Sequence, residues 1–317
     1  MKVVVGHAEV LYLALLSGVL TLLPIFVPLG GGLLTALAPF PFIVLASKYP
    51  WQYVVSVLGL ESGVILLDGR LQPLVFLGQC ALIAWGISWA TRRRWSISQT
   101  LLCSIAVPCV VGMLVAVAYS LLMQLPLDAL VMRYVQKIVD ASQEYVRTLE
   151  QFQEGDAEQW AVLIEALPQL LLIVLPALIV IGHLCLNLLN YLLARRYCQR
   201  SQPPLALPPD DLAGWKASEY LVWVFLASGA SLFVPSDVVG TIGVNLLLIT
   251  LALYFLQGVA IVLFWGRRLP VPLGVQCFLL ALLFLVAGPF CVIICTAAGL
   301  FDLWVDFRRQ RRHSMLP

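Results

Sequence analysis

The chain has 317 residues, 61% of them hydrophobic and 11% charged, with a formal net charge of +2. Soluble domains run at about 45–50% apolar and 25% charged, so this composition excludes an ordinary water-soluble domain. The basic excess does not point to nucleic acid, because the cations gather at the ends of apolar stretches, where membrane topology accounts for them.

Ten apolar stretches fill residues 8–307, and charge is confined almost entirely to the gaps between them. Crossing about 30 Å of hydrocarbon takes about 20 helical residues, and Val244–Trp265 alone has 22 without a charge. The pattern predicts an all-α polytopic transmembrane helix bundle of about ten spans (eight to ten), forming a single integral membrane domain over residues 1–317. Five spans fall in residues 8–123: Ala8–Leu29, Gly31–Ser47, Trp51–Leu67, Leu71–Ala90 and Thr100–Met123. With only Lys2 before it and no small-x-small cleavage site, the first reads as a retained span and not a signal peptide.

Residues 124–166 differ in character. Residues 125–166 set Arg133, Lys137 and Arg147 against eight carboxylates, a balance of −5 that leaves the rest of the chain at +7. Over residues 127–152, Leu127, Val131, Tyr134, Ile138, Tyr145, Leu149 and Phe152 recur at helical spacing. This predicts an extracytoplasmic amphipathic helical insert that caps the bundle or offers a face to a partner. Residues 167–305 hold the other spans: Leu167–Leu193, Glu219–Val234, Thr241–Trp265, Val271–Ala287 and Pro289–Val305. Gly288-Pro289 is a natural break, since proline lacks the backbone donor and clashes with the preceding turn; it favours a hairpin over one long helix. Residues 306–317 form a basic tail.

Lys2, Lys48, Arg92–Arg94, Arg195, Arg196, Arg200, Lys216, Arg267, Arg268 and Arg308–Arg312 mark alternate gaps. By the positive-inside rule these gaps and both termini are cytoplasmic. The proline-rich Ser201–Trp215 reads as a stiff connector, Trp304 before Arg308 as an interfacial anchor, and Asp237 as a helix cap. The eight cysteines lie in apolar spans or beside the Arg195–Arg200 cluster, with no metal-ligand spacing. No cofactor is implied.

Polar residues inside spans are costly, and they normally face a bundle interior or a cavity. Glu61 lies near the middle of the third span. It reads either as a proton-, cation- or ligand-binding carboxylate or as a carboxyl that is held protonated or is hydrogen-bonded to a neighbouring helix. Gly59 and Gly63 form a GxxxG pair that admits a close helix on another face. His183, Asn187 and Asn190 make one stripe on the sixth span, either lining a ligand path or joining helices. Tyr254 and Gln257 share a face of the eighth span, with Asn245 roughly opposite. Glu61, His183, Asn187, Asn190, Tyr254 and Gln257 are thus the candidate ligand-binding residues. No catalytic motif is present: Ser62-Gly63 is not the GxSG of intramembrane serine proteases, and there is no HExxH, paired intramembrane Asp or phosphate loop. A non-enzyme is expected.

Leu253–Ala260 (LYFLQGVA), Asn187–Arg196 (NLLNYLLARR) followed by the Leu207-Pro208 loop and Trp223, and the terminal Gly299–Trp304, Asp306–Arg308 resemble the YybS-like bacterial membrane proteins, a domain-of-unknown-function family. The resemblance covers most of the chain and implies no settled activity and no catalytic residues. Pro39-Phe40-Pro41 and the six spans ending by Leu193 also resemble the S components of energy-coupling-factor vitamin transporters. Their first helix grips a partner through small residues four apart, and Ala14 and Gly18 have that spacing. The reading that follows is a bacterial inner-membrane protein of transporter-like architecture. It binds or transports a small solute in a cavity near Glu61 and His183. The alternative is a membrane scaffold or accessory subunit that recruits partner proteins. Its surroundings are the lipid bilayer, with no nucleic acid.

Overall fold

A computed structural model describes residues 7–26, 34–68, 72–150, 157–200, 212–271 and 273–308. These residues form ten α-helices and one 3₁₀ turn, with no strand among them. The helices are α1 (His7–Phe26), α2 (Pro39–Lys48), α3 (Trp51–Asp68), α4 (Gln72–Arg92), α5 (Ile97–Met123), α6 (Leu127–Glu150), α7 (Ala157–Arg200), α8 (Leu221–Ser231), α9 (Asp237–Gly266) and α10 (Leu273–Val305). Among the described residues five segments are long and apolar enough to cross a membrane: Leu74–Arg92, Ile97–Met123, Leu167–Arg200, Asp237–Gly266 and Val286–Val305. Shorter apolar helices are His7–Leu23, Pro39–Lys48, Trp51–Leu67 and Leu221–Ser231.

Two expected spans are therefore much shorter as helices. Of Gly31–Ser47, the first three residues lie outside the described part, and a turn at 36–38 precedes α2, whose ten residues open on Pro39 and Pro41. Proline has no backbone N–H to offer a preceding turn, so a helix starts there readily. Within Glu219–Val234 the helix runs for 11 residues, about 16 Å. The final pair is one helical run broken at Ala287 (φ −128°, ψ 34°), beside the expected Gly288-Pro289 break. Eight helical residues advance about 12 Å, yet Cys291 Sγ lies 3.7 Å from the Leu283 carbonyl oxygen. The two arms bend sharply there.

The chain divides into two compact units: residues 1–125 with 182–209, and residues 126–181 with 210–317. In the first, α2 is the centre. Phe42, Ile43, Val44, Leu45 and Ala46 are all buried in succession, as a helix apolar on every side must be, and α1, α3 and α4 pack around it. Arg92 Nη2 donates to the Ala46 carbonyl at 2.9 Å, satisfying a C-terminal acceptor of α2. Gly86 lets α4 approach the backbone of Ser104 on α5. A capping box, Ser96 with Gln99, starts α5. At the end of α4, Arg93 stacks 4.2 Å from the Trp89 ring, which meets Trp95 edge-on. Such an aromatic–arginine belt is suited to headgroup level.

In the second unit α9 packs against α8, α10 and the 3₁₀ turn Leu212–Gly214. Gly258 and Gly299 make the α9–α10 crossing possible. A Cβ on Gly258 would sit 1.9 Å from the Cys295 carbonyl oxygen, and one on Gly299 would sit 1.9 Å from that of Tyr254. Asn245 joins α9 to α7. Its Oδ1 accepts from Ala177 N at 2.7 Å and its Nδ2 donates to Ile173 O at 2.7 Å. These are the i and i−4 groups that an uninterrupted helix joins directly. Beside Pro176 the side-chain amide stands between them and satisfies both.

The apolar edge of α6 is turned from its expected position. Val135 and Val139 are buried, whereas Leu127, Val131 and Tyr134 are exposed; the remaining expected stripe positions, Ile138, Tyr145, Leu149 and Phe152, lie outside the described side chains. At the start of α9, Ser236 is the cap residue and Asp237 the first helical one. Seven cysteines whose side chains are described stand outside any disulfide.

Candidate functional site

Two cavities of the first unit lie on opposite sides of α1. Helix α1 places Ala14, Ser17, Gly18 and Thr21 on one face, at i, i+3, i+4 and i+7. Small side chains there leave room beside α3, and the space is a cavity of about 360 Å³ lined from α1 and α3 only. Its walls include Leu15, Val19, Leu60 and Val64, and Glu61 projects into it. Glu61 is only 8% exposed. Its Oε1 accepts from Ser17 Oγ; among the described residues its Oε2 has no partner, and neither has the Thr21 hydroxyl on the same lining. Hence two buried polar atoms converge on an otherwise apolar space. A volume near the lower end of the ~300–1,000 Å³ typical of small-molecule pockets suits a compact, largely apolar molecule with one hydrogen-bonding group.

The second cavity, about 710 Å³, lies where the start of α1 meets the ends of α2 and α7. Glu9 anchors a closed polar cluster. Its Oε1 accepts from Lys48 Nζ at 2.5 Å and from the Tyr197 hydroxyl at 3.0 Å, and its Oε2 accepts from the Tyr49 hydroxyl at 2.5 Å. Lys48 Nζ also stands 5.7 Å from the Tyr197 ring centroid. Burial, reinforced by the carboxylate it donates to, pushes the Tyr49 phenol above its ordinary range. Phe40 meets Tyr197 edge-on, and Leu16, Leu20 and Leu193 complete the apolar wall.

The sequence candidates divide between these sites and plain packing roles. A Cβ placed on Gly18 would lie 3.8 Å from Glu61 Oε1, and Ala14 shares the same lining. Gly59 and Gly63 are exposed, and among the described residues nothing lies within 4 Å of a Cβ placed on either. The expected close helix is not found on that face. His183 is half-buried on α7 and is not among the residues that line either of these two cavities. Asn187 Nδ2 donates to Ser104 O at 2.9 Å, and Asn190 Nδ2 donates to Ala36 O at 2.8 Å. These two amides tie α7 to α5 and to the turn before α2.

Tyr254 and Gln257 belong to the second unit. Tyr254 is fully buried and edge-on to Phe225. Gln257 Nε2 donates to Asp302 Oδ2 at 3.0 Å, and its Oε1 accepts from Ala217 N at 3.1 Å. Asp302 in turn holds Arg308 Nη2 at 2.5 Å and accepts from Phe307 N at 2.9 Å. Arg308 Nη1 donates to the Ala213 and Trp215 carbonyls. The LYFLQGVA and GLFDLW…DFR stretches thus form one interlocked clasp, with Gln257 an internal strut. Trp304 is exposed, as an interfacial anchor is, but Asp302 and Arg308 are buried.

Sequence reasoning missed Ser17, Thr21 and Glu9. The signal for the first two was present in the small-and-polar stripe Ala14, Ser17, Gly18, Thr21. Glu9 is a lone carboxylate at the head of a span, and nothing local distinguishes it from an ordinary acidic first turn.

The all-helical fold, five membrane-length apolar helices and buried polar side chains between helices define an integral membrane protein. Residues 15–303 match the family described as predicted membrane protein (DUF2232), and the chain belongs to that family. No curated protein and no solved structure gives a match.

Proposed function

We propose that this is a multi-pass bacterial inner-membrane protein that holds a small, largely apolar solute in the first unit, at the cavity between α1 and α3. The observation that carries this reading is the pair of unpartnered buried oxygens, Glu61 Oε2 and Thr21 Oγ1, facing one apolar space. A buried polar atom without a partner costs about 1–3 kcal/mol, and a ligand group that supplies the missing bond removes that cost. We take the role to be binding or transport and not catalysis. Any energy for transport comes from an ion gradient or from a partner subunit. In this reading both termini face the cytoplasm, α6 lies outside, and the two arms of α10 are separate short spans. Kinship to YybS-like proteins and to S components of energy-coupling-factor transporters belongs to the same proposal; the Ala14/Gly18 face, however, is turned to the cavity.

The test is native mass spectrometry of protein extracted from its own membranes. Glu61→Gln keeps the Ser17 contact and is expected to lose the co-purifying solute at an unchanged melting temperature. Asn187→Ala is expected to do the reverse, lowering the melt while the solute stays. Wild-type solute occupancy in Glu61→Gln would refute the binding role. A second reading, a scaffold, is favoured by the exposed Leu127, Val131 and Tyr134 edge of α6. That reading gains if Glu61→Gln lowers only the melt and a membrane protein co-purifies through α6.

A further inference from the structure

We infer that the larger cavity of the first unit is a site for an anionic phospholipid, with the headgroup phosphate on Arg196 and Arg200 and an acyl chain against the apolar wall. This goes beyond the solute reading and needs only that the protein lies in a bilayer. The Glu9 carboxylate is already engaged by Lys48, Tyr49 and Tyr197, so the Glu9–Lys48 pair closes on itself. Arg196 and Arg200 line the same cavity and are exposed. Neither forms an ion pair with a carboxylate among the described residues. They stand at i and i+4 of α7, with Cβ atoms about 6 Å apart, a spacing that lets two guanidinium forks share one phosphodiester. The site therefore has two positive charges that no carboxylate of the described residues neutralises.

Shape and depth point to a lipid and not to a free anion. Behind the guanidiniums the wall is Leu16, Leu20, Phe40 and Leu193, which offers a phosphate nothing but gives an acyl chain a dry contact. The level is also right. Arg92 reaches the Ala46 carbonyl near the end of α2, so the end of α4 lies beside the end of α2. There Arg93, Trp89 and Trp95 form the aromatic–arginine belt, which sits at headgroup depth. A cavity polar at that depth and apolar beyond it matches the amphiphile's own polarity. The carbonyls at the end of α7 repel an anion, and this is why the lipid needs both arginines.

The test is titration of the full-length, delipidated protein in detergent with phosphatidylglycerol or phosphatidylcholine, read by native mass spectrometry. Wild type is expected to prefer phosphatidylglycerol. Arg196→Ala/Arg200→Ala is expected to weaken that lipid about thirtyfold, at roughly fivefold per arginine near an anionic headgroup. Leu193→Trp, which fills the tail space without altering charge, is expected to weaken both lipids. Arg133→Ala, on the exposed face of α6, should change nothing. Undiminished phosphatidylglycerol binding by the double-arginine variant, or equal binding of the two lipids by wild type, would overturn the assignment. Displacement of the lipid by millimolar inorganic phosphate would also overturn it and make the site one for a free anion.

Discussion

Asp302 and Arg308 carry opposite charges with side chains 0% and 5% exposed, and this burial makes them unequal to any surface pair. Taking two ions out of water costs several kcal/mol each, which their attraction offsets only when every remaining donor and acceptor is satisfied. Gln257 Nε2 and Phe307 N complete Asp302, and the Ala213 and Trp215 carbonyls serve Arg308 Nη1, while Arg308 Nε has no partner among the described residues. Removing one ion strands the other. Arg308→Met is therefore expected to cost about 3–5 kcal/mol, and Asp302→Asn with Arg308→Met together distinctly less. Thermal melts in detergent measure both, and a single-variant melt equal to wild type would mean that the pair is hydrated. Asn187 and Asn190 illustrate a different limit at this scale. An amide serves equally as ligand contact or helix glue, and only the identity of its partner, Ser104 or Ala36, separates the two.

Glycines separate at the level of elements by what stands opposite them. Gly258 and Gly299 hold α9 and α10 at backbone contact, and a methyl on either would fall 1.9 Å from a carbonyl oxygen. No side chain can swing aside there, so Gly258→Ala and Gly299→Ala are each expected to destabilise by about 3 kcal/mol or more, at the upper end of overpacking costs. Gly59→Ala and Gly63→Ala meet open space and are expected to leave the melt within about 0.5 kcal/mol of wild type, as surface changes do. The reverse ranking would show that α3, and not the α9–α10 crossing, carries the tight contact. The helices themselves were legible because hydrocarbon imposes a length on apolar runs, as for α4, α5 and α9. Pairings were not, because a GxxxG spacing recurs whether or not a second helix arrives. The rotation of α6 escaped for a related reason: Val131 and Val135 are equally apolar, and only the neighbouring element decides which is covered. In the candidate site Glu61 was legible from its depth alone, whereas its partner Ser17 lies 44 residues away and no local pattern links them.

The distribution of charge over the whole chain makes a claim that neither a residue nor a helix can make alone. In the first unit Glu9, Lys48, Arg92 and Tyr197 gather the start of α1 and the ends of α2, α4 and α7 at one end. In the second unit Lys216 pairs with Asp306 at 2.9 Å, and Arg308 holds the 213–215 backbone. Basic residues that the positive-inside rule assigns to one side are thus neighbours within each unit. Helix α6 carries Asp128 and Asp140 with Arg133 and Lys137 between them, so its acidic and basic residues nearly balance. In a cysteine-depleted background, Asp140→Cys is expected to react with a membrane-impermeant maleimide in intact cells, and Arg200→Cys only after permeabilisation. Labelling in the opposite sense would invert the protein and set its arginines outside, against the strongest bias known for helix orientation. Labelling of both from outside would place an odd number of crossings fewer between α6 and the end of α7. Since residues 167–200 form a single apolar helix of 34 residues, about 51 Å long, that outcome would require this helix to lie along the membrane surface with its leucines in water, at about 25 cal/mol for each Å² so exposed.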